Sequence, residues 1–260
     1  MVELSIIVPT LDAGVAFGWE DRLRRSPVDA ELIVEDDGSA SEARNAGIRA
    51  AEADKLVFLD DDSVPLEGYF ERVATLLDTY PAVTGRIHDT GASYLRNLST
   101  QYDQGPEGHF TDTVVGCNMA VRREVIEDIG YFDERLPYGH EETELIDRLC
   151  DAYDVWYCPD LEVEHPFAAS FGEYLEKQYR HGREAVPYYA IRGENVPRNI
   201  VRIAFVPSHY TTPTLTGTAL KTVGQVVTLI GLLQGYVAFL IANDDYGEHS
   251  RQTEGYDQNT

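Results

Sequence analysis

Three stretches of this chain share one pattern: a short apolar run that ends in a polar turn. LSIIVPT, ELIVEDDGS and KLVFLDDDSVP each predict a strand running into a loop. Leu56, Val57, Phe58 and Leu59 show no polar alternation, as expected for a strand covered on both faces. Helical spacing separates the strands. SEARNAGIRAAEA is one such segment, and GYFERVATLLDTY is another, with Phe70, Val73, Leu76 and Leu77 on one stripe. Strands alternating with helices predict a mostly parallel α/β sheet flanked by helices, with three loops meeting at its C-terminal edge. Those loops carry Asp12, Asp36-Asp37 and Asp60-Asp61-Asp62.

Beyond about residue 82 the pattern is mixed. DTVVGCNMAVRREVIEDIGYFDE predicts a strand, a turn at Gly116-Cys117-Asn118 and a helix ending near Gly130. GHEETELIDRLCDAY predicts a helix with Leu145 and Leu149 on one face and a Glu144–Arg148 pair one turn apart. VWYCPDLEVEHPF reads as a strand followed by a loop holding His165. Residues 222–243, TVGQVVTLIGLLQGYVAFLIAN, contain no charge. This run either spans a bilayer or forms a buried or in-plane helix, and Gly231 and Gly235 make a GxxxG suited to close helix contact. The polar tail GEHSRQTEGYDQNT is expected to be disordered. The organisation read from these patterns is a first half over 1–90, a second half of the same domain over 91–190, and a C-terminal helical, membrane-associating segment with its tail over 191–260.

With 45 acidic against 21 basic residues the net charge is −24, and only three of the basic residues are lysine. Such a surface repels nucleic acid and anionic lipid unless screened, which argues against non-specific DNA or RNA binding. Acid spread along the chain with scarce lysine suggests a protein that works in concentrated salt, where the short Debye length quenches self-repulsion. Three cysteines without metal-site spacing fit a reducing cytoplasm. MVELSIIVPT, with an early glutamate and no basic region, reads as a strand rather than a signal peptide.

Three adjacent aspartates at a strand's mouth repel one another, and they persist best beside water, a cation or hydroxyl donors. Asp60 and Asp62, two apart, could both hold one hard divalent ion. The alternative is a solvated turn in which Asp62-Ser63 caps the next helix.

Taken in order, SIIVPT, ELIVEDDGS, ARNAG, FLDDDSVP, GCNMAVRREVIEDIGYFDERL and GHEETELIDRL resemble the family 2 glycosyltransferases over about residues 4–190. The resemblance implies an inverting, metal-dependent enzyme of the GT-A fold, which moves a sugar from a nucleotide diphosphate donor to a lipid-linked or glycan acceptor. Within that family this chain is similar to compact, haloarchaeal members. Asp60 and Asp62 match the family's DxD motif, with Asp62 the direct ligand of Mn²⁺ or Mg²⁺ and Asp61 near the ribose. Pro9 and Asp12 fall in the first nucleotide loop. Asp37 matches the residue that accepts from the nucleotide base, leaving Asp36 as a possible helix cap. Arg44 matches an arginine facing the nucleotide, with a surface ion pair to Glu42 as its bland alternative. Gly116, Cys117 and Asn118 match a turn beside the donor sugar and acceptor, and His165 matches a histidine that sometimes joins the metal or diphosphate.

An inverting transfer needs a base for the acceptor hydroxyl. The family's acidic pair falls on Glu141-Glu142, with a glutamate at the usual aspartate position, so either residue fits. Leu11 replaces an aromatic that would stack on the base, so uridine is not implied. A sugar-1-phosphate nucleotidyltransferase is a rival reading, but it needs a basic Gly-rich first loop, and PTLDAGVAFG has neither Lys nor Arg. A non-catalytic nucleotide-sugar-binding protein on the same fold is the third. Arg198, Arg202 and Lys221 precede the uncharged run, and positive charge tends to stay inside. That places the protein at the cytoplasmic face of the membrane, spanning or peripheral.

Overall fold

The computed structural model describes residues 2–12, 14–36, 38–96, 98–99, 101–136 and 139–254, with side chains through 242. The chain divides into two compact units, Met1–Phe171 and Gly172–Thr260.

In the first unit β1 (Leu4–Pro9) lies between β2 (Ala30–Glu35) and β3 (Lys55–Phe58), parallel to both. The three apolar runs therefore end at one edge, as their pattern predicts. α1 (Glu20–Arg25) and α2 (Ala40–Ala50) provide the crossovers. α2 starts on a capping box: the Ser39 hydroxyl accepts from the Glu42 amide at 3.3 Å, and Glu42 Oε2 accepts from the Ser39 amide at 2.7 Å. Ser39 rather than Asp36 is thus the cap, and Glu42 is engaged there rather than with Arg44. Asp37 lies outside the described residues.

β4 (Val64–Pro65) and α3 (Tyr69–Thr79) follow, so Asp62-Ser63 leads into a strand and does not cap a helix. Next come β5 (Ala82–Asp89), β6 (His109–Thr111), a 3-10 turn at Gly116–Asn118, β7 (Met119–Arg122), α4 (Arg123–Ile129), α5 (Glu141–Ala152) and β8 (Val155–His165). The strand in the 112–134 region follows the glycine turn instead of preceding it. The sheet order is β2-β1-β3-β7-β5-β8-β4, with β6 also paired to β8. β7 runs antiparallel to β3 and β5, so the sheet is parallel in its first half and mixed in its second. His165 is the last residue of β8, paired with Asp89, and does not sit in the following loop.

Both faces of the sheet are covered, which explains the unbroken apolar runs. Leu4, Ile6, Val8 and Val57 pack with Tyr69, Phe70, Val73 and Leu77 of α3. Ile7, Leu56, Phe58 and Val121 pack on the other face with Ile48, Val125, Leu145 and Leu149. The pairing of β5 with β8 is interrupted: Gly85 lies opposite Cys158 but Arg86 lies opposite Glu162. The extra residues Pro159, Asp160 and Leu161 bulge out, and Leu161 presses on Gly85 so closely that any side chain there would collide with its carbonyl.

The second unit is helical: α6 (Phe171–Ile191), α7 (Val196–Ala204), a 3-10 turn at Pro207–His209 and α8 (Leu215–Glu254). α8 continues through much of the tail expected to be disordered, and residues 255–260 lie outside the described set. Its segment Leu215–Ala242 is long and apolar enough to cross a membrane, and only 22% of its most apolar window is buried, unlike a core helix. The glycines of α8 serve contact within the unit. Gly224 backs onto the Tyr174 ring, and Gly231 and Gly235 back onto the main chain of Tyr179 and Arg183. Reciprocally, Gly182 of α6 receives the backbone of Thr228 and Leu232. The pairs advance together along both chains, so α6 and α8 run parallel.

Candidate active site

The edge where β1, β2 and β3 end gathers most of the acidic residues singled out above. Each aspartate of the triplet after β3 has a different partner. Asp60 Oδ1 accepts from Arg44 Nη2 at 3.0 Å. Asp61 Oδ2 accepts from the Thr10 hydroxyl at 2.8 Å, tying the triplet to the loop after β1. Asp62 Oδ1 lies 3.0 Å from His165 Nε2, which is also 3.7 Å from Asp60 Oδ2. His165 Nδ1 meets the Tyr102 hydroxyl at 2.9 Å, a bond that orients the imidazole.

In the β1 loop the Asp12 amide donates to Thr10 Oγ1, and Asp12 Oδ1 accepts from the Gly14 amide at 2.9 Å. Pro9 pairs with Glu35 at the strand ends. Leu11 is almost wholly exposed.

Arg44, on α2, is buried, and its second nitrogen donates to Glu141 Oε1 at 2.9 Å while the guanidinium lies over the Phe132 ring. Burial works against its charge, but Asp60, Glu142 and Glu141 more than offset this and hold its pKa above the usual arginine value. One guanidinium therefore joins the aspartate triplet to the acidic start of α5.

Glu141 and Glu142 differ in environment. Glu141 is 4% exposed and fastened to Arg44, whereas Glu142 is only partly covered. The Oε2 atoms of both are buried without a hydrogen-bond partner among the described residues. Burial is the largest influence on Glu142, with Asp60 and Glu141 adding to it against Arg44 and His165, and its carboxyl is pushed up to about 7. Its Oε2 rests against Gly116, where any side chain would drive it away. Gly116 is thus required by the position of Glu142.

Asn118 has a structural place. It is fully buried, with Oδ1 accepting from the Tyr69 hydroxyl at 3.0 Å and Nδ2 donating to the carbonyls of Arg86 and Leu161. It pins the turn to the bulge, with both amide hydrogens taken and one acceptor site of Oδ1 used.

The donor set tests whether the edge suits a divalent cation. Asp60, Cys117 and His165 each bring a ligand atom within 4.8 Å of the others. Burial raises the Cys117 thiol well above its ordinary range, with Asp60, Glu142 and Asp62 adding to this, and sulfur is a soft donor that suits a hard cation poorly. Asp60 and His165 remain of that cluster, and Asp62 Oδ1 stands 3.0 Å from His165 Nε2; two carboxylates and an imidazole fit Mn²⁺ or Mg²⁺. Tyr102 lies in no motif singled out in the sequence, and Thr10 and Cys117, within SIIVPT and GCNMAV, carry no ligand role of their own there; tertiary contact brings all three to this site.

An α/β sheet with carboxylates and an arginine at the C-terminal edge of its strands, and a second acidic pair joined to them through Arg44, places a polar ligand site at that edge. Residues 21–130 match the family model described as Glycosyl transferase family 2. Over that stretch the chain resembles the family 2 glycosyltransferases, and it is similar to a haloarchaeal protein. It is 28% identical over 214 residues to Glycosyltransferase AglE of Haloferax volcanii, covering 76% of this chain and 68% of that protein. Among solved structures it is similar to A197 from STIV (17% identity, 64% of this chain and 86% of the other, TM-score 0.45). It is also similar to GalNAc-T7 solved with UDP, GalNAc and Mn2+ (12%, 70% and 47%, 0.47) and to S. aureus TarS 1-349 (13%, 91% and 72%, 0.47).

Proposed function

We propose that this protein is an inverting, metal-dependent hexosyltransferase that moves a sugar from a nucleotide diphosphate donor to a lipid-linked or glycan acceptor at the cytoplasmic face of a membrane. The observation that carries this reading is the opposition of two acidic groups across Arg44, one suited to a cation and one to a proton. Asp60, Asp62 and His165 would hold Mn²⁺ or Mg²⁺, which when bound neutralises the charge of the departing diphosphate. The chain's own residues do the rest. Asp61, positioned by Thr10, stands where a ribose hydroxyl can donate to it, with Pro9, Asp12 and Asp37 completing the nucleotide side.

Glu142 takes the proton of the attacking hydroxyl. Its raised pKa places it near neutrality, where a general base gains most from both its ionised fraction and its basicity. Glu141, held by Arg44, positions its neighbour. Arg44 keeps the two acidic groups together without becoming neutral. Gly116 leaves room for Glu142, and Asn118 fixes Gly116. Dispersed acid and the exposed apolar length of α8 support a salt-adapted, membrane-associated enzyme.

A panel of nucleotide-sugars tested for Mn²⁺- or Mg²⁺-dependent hydrolysis, water replacing the acceptor, checks the reading. One donor should be hydrolysed with metal and spared in EDTA, and Asp62→Asn should lose its metal-dependent affinity for the nucleotide diphosphate by about a hundredfold. Unchanged affinity in Mn²⁺ would remove Asp62 from the metal site. Nucleotide transfer to a sugar phosphate would favour the rival chemistry.

A further inference from the structure

The outer face of α8 is uncharged over about 20 residues. Val223, Val226, Ile230, Leu233, Val237 and Leu240 recur at alternating three- and four-residue steps, and all are 44% exposed or more. At about 100° per residue this stripe lies opposite Gly224, Thr228, Gly231 and Gly235, the side that packs on α6.

The spacing is that of a coiled-coil seam, which suggests a second copy as the occupant. A seam in water is flanked by charged residues that keep its edges wet and choose the partner. Here the flanking positions are Val227, Leu229, Gln234, Tyr236 and Ile241, none of them charged. The apolar surface is therefore wider than a two-helix seam, which fits lipid. Charge agrees: residues 172–242 carry seven Lys and Arg against four Asp and Glu, in a chain whose overall charge is −24. Up to residue 242 this balance favours anionic head groups, and the acids Asp244, Asp245 and Glu248 follow the apolar length rather than interrupt it.

α6 decides the orientation. Its Glu176, Arg180 and Arg183 are exposed, and Tyr174–Arg183 runs beside Gly224–Gly235, the middle of the apolar length. If α8 crossed the bilayer in this packing, those charges would enter the hydrocarbon with it. Laid flat, α8 sinks its stripe and α6 rides above it on the watery side. Resting on the membrane association proposed above, we infer that α6 and α8 dock together in the plane of the bilayer. The chain is then held from one side and does not span.

The test uses the full chain with a C-terminal epitope tag, expressed in cells from which both intact spheroplasts and inside-out vesicles are prepared. Flat docking expects membrane-bound protein whose catalytic unit and tag are both digested in inside-out vesicles and both protected in spheroplasts. In the same preparation Ile230→Glu combined with Leu233→Glu should move at least tenfold more protein into the soluble fraction while nucleotide-diphosphate binding persists. A tag protected in inside-out vesicles while the catalytic unit is digested would mean a spanning helix, overturning the flat orientation but not the membrane reading. Wild-type protein recovered soluble would overturn both. Soluble protein that dimerises, with dimers lost in the double variant, would assign the stripe to a second copy.

Discussion

The two acidic groups of the site treat their charge in opposite ways. After β3, Asp60, Asp61 and Asp62 each have a distinct partner, in Arg44, Thr10 and His165, and Asp60 and Asp62 remain open enough to meet a cation. At the start of α5, Glu141 takes the second half of Arg44, and Glu142, whose buried Oε2 has no hydrogen-bond partner among the described residues, has its carboxyl pushed up to about 7. Carboxylates in one group are thus held as charges, while in the other the carboxyl of Glu142 is pushed toward its neutral form. The neighbours decide this, not the motif.

Converting Glu142 into a group that cannot accept a proton should break the contrast most completely. Glu142→Gln is expected to lower kcat by about a hundredfold to ten-thousandfold, with donor affinity retained in calorimetry. Glu141→Gln, which frees half of Arg44, should cost less in kcat. A larger loss in Glu141→Gln would move the base by one residue.

A subtler disturbance comes from Gly116→Ala, which leaves both acidic groups intact but puts a methyl group where Glu142 Oε2 rests. We expect kcat to fall by about tenfold to a hundredfold, as a displacement of about an ångström would cost, at unchanged donor affinity and metal dependence. Equal losses in affinity and kcat would mean that the turn holds the donor rather than the base.

The smallest effect is on stability. A carboxyl whose folded pKa lies above its unfolded value costs stability once ionised. That cost is absent below about pH 4.5, grows as pH rises to about 7, and is then constant. In EDTA at pH 8, Glu142→Gln should therefore raise the unfolding free energy, by at most about 3 kcal/mol, and at pH 4.5 the gain should vanish. Denaturant unfolding at the two pH values measures it, and a variant less stable at pH 8 would show that the charge of Glu142 is well compensated.

The parallel half of the fold was legible because its strands and helices are local patterns, and the acidic groups were legible because each is contiguous. What escaped was long-range. Nothing around Tyr102 announces that its hydroxyl will meet His165, 63 residues on. Arg44 invited an ion pair with nearby Glu42, yet its partner Glu141 is 97 residues away. The capping box that occupies Glu42 was itself written in the sequence, as Ser39 followed three residues later by glutamate. The direction of β7 was hidden for another reason, since a short apolar strand reads alike either way along the sheet.

The irregular pairing opposite Gly85 acts as a change of phase in the sheet's alternation. Before it, the even residues Trp156 and Cys158 of β8 face the α3 side while Val155 faces the other; after it, the odd residues Leu161 and Val163 face α3. Three inserted residues, an odd number, have exchanged the faces, and His165 inherits the parity of Leu161 and Val163. Its arrival beside Asp62 is thus set some four residues upstream by the length of a kink, and adding or removing a single residue there would aim the imidazole at the opposite side of the sheet.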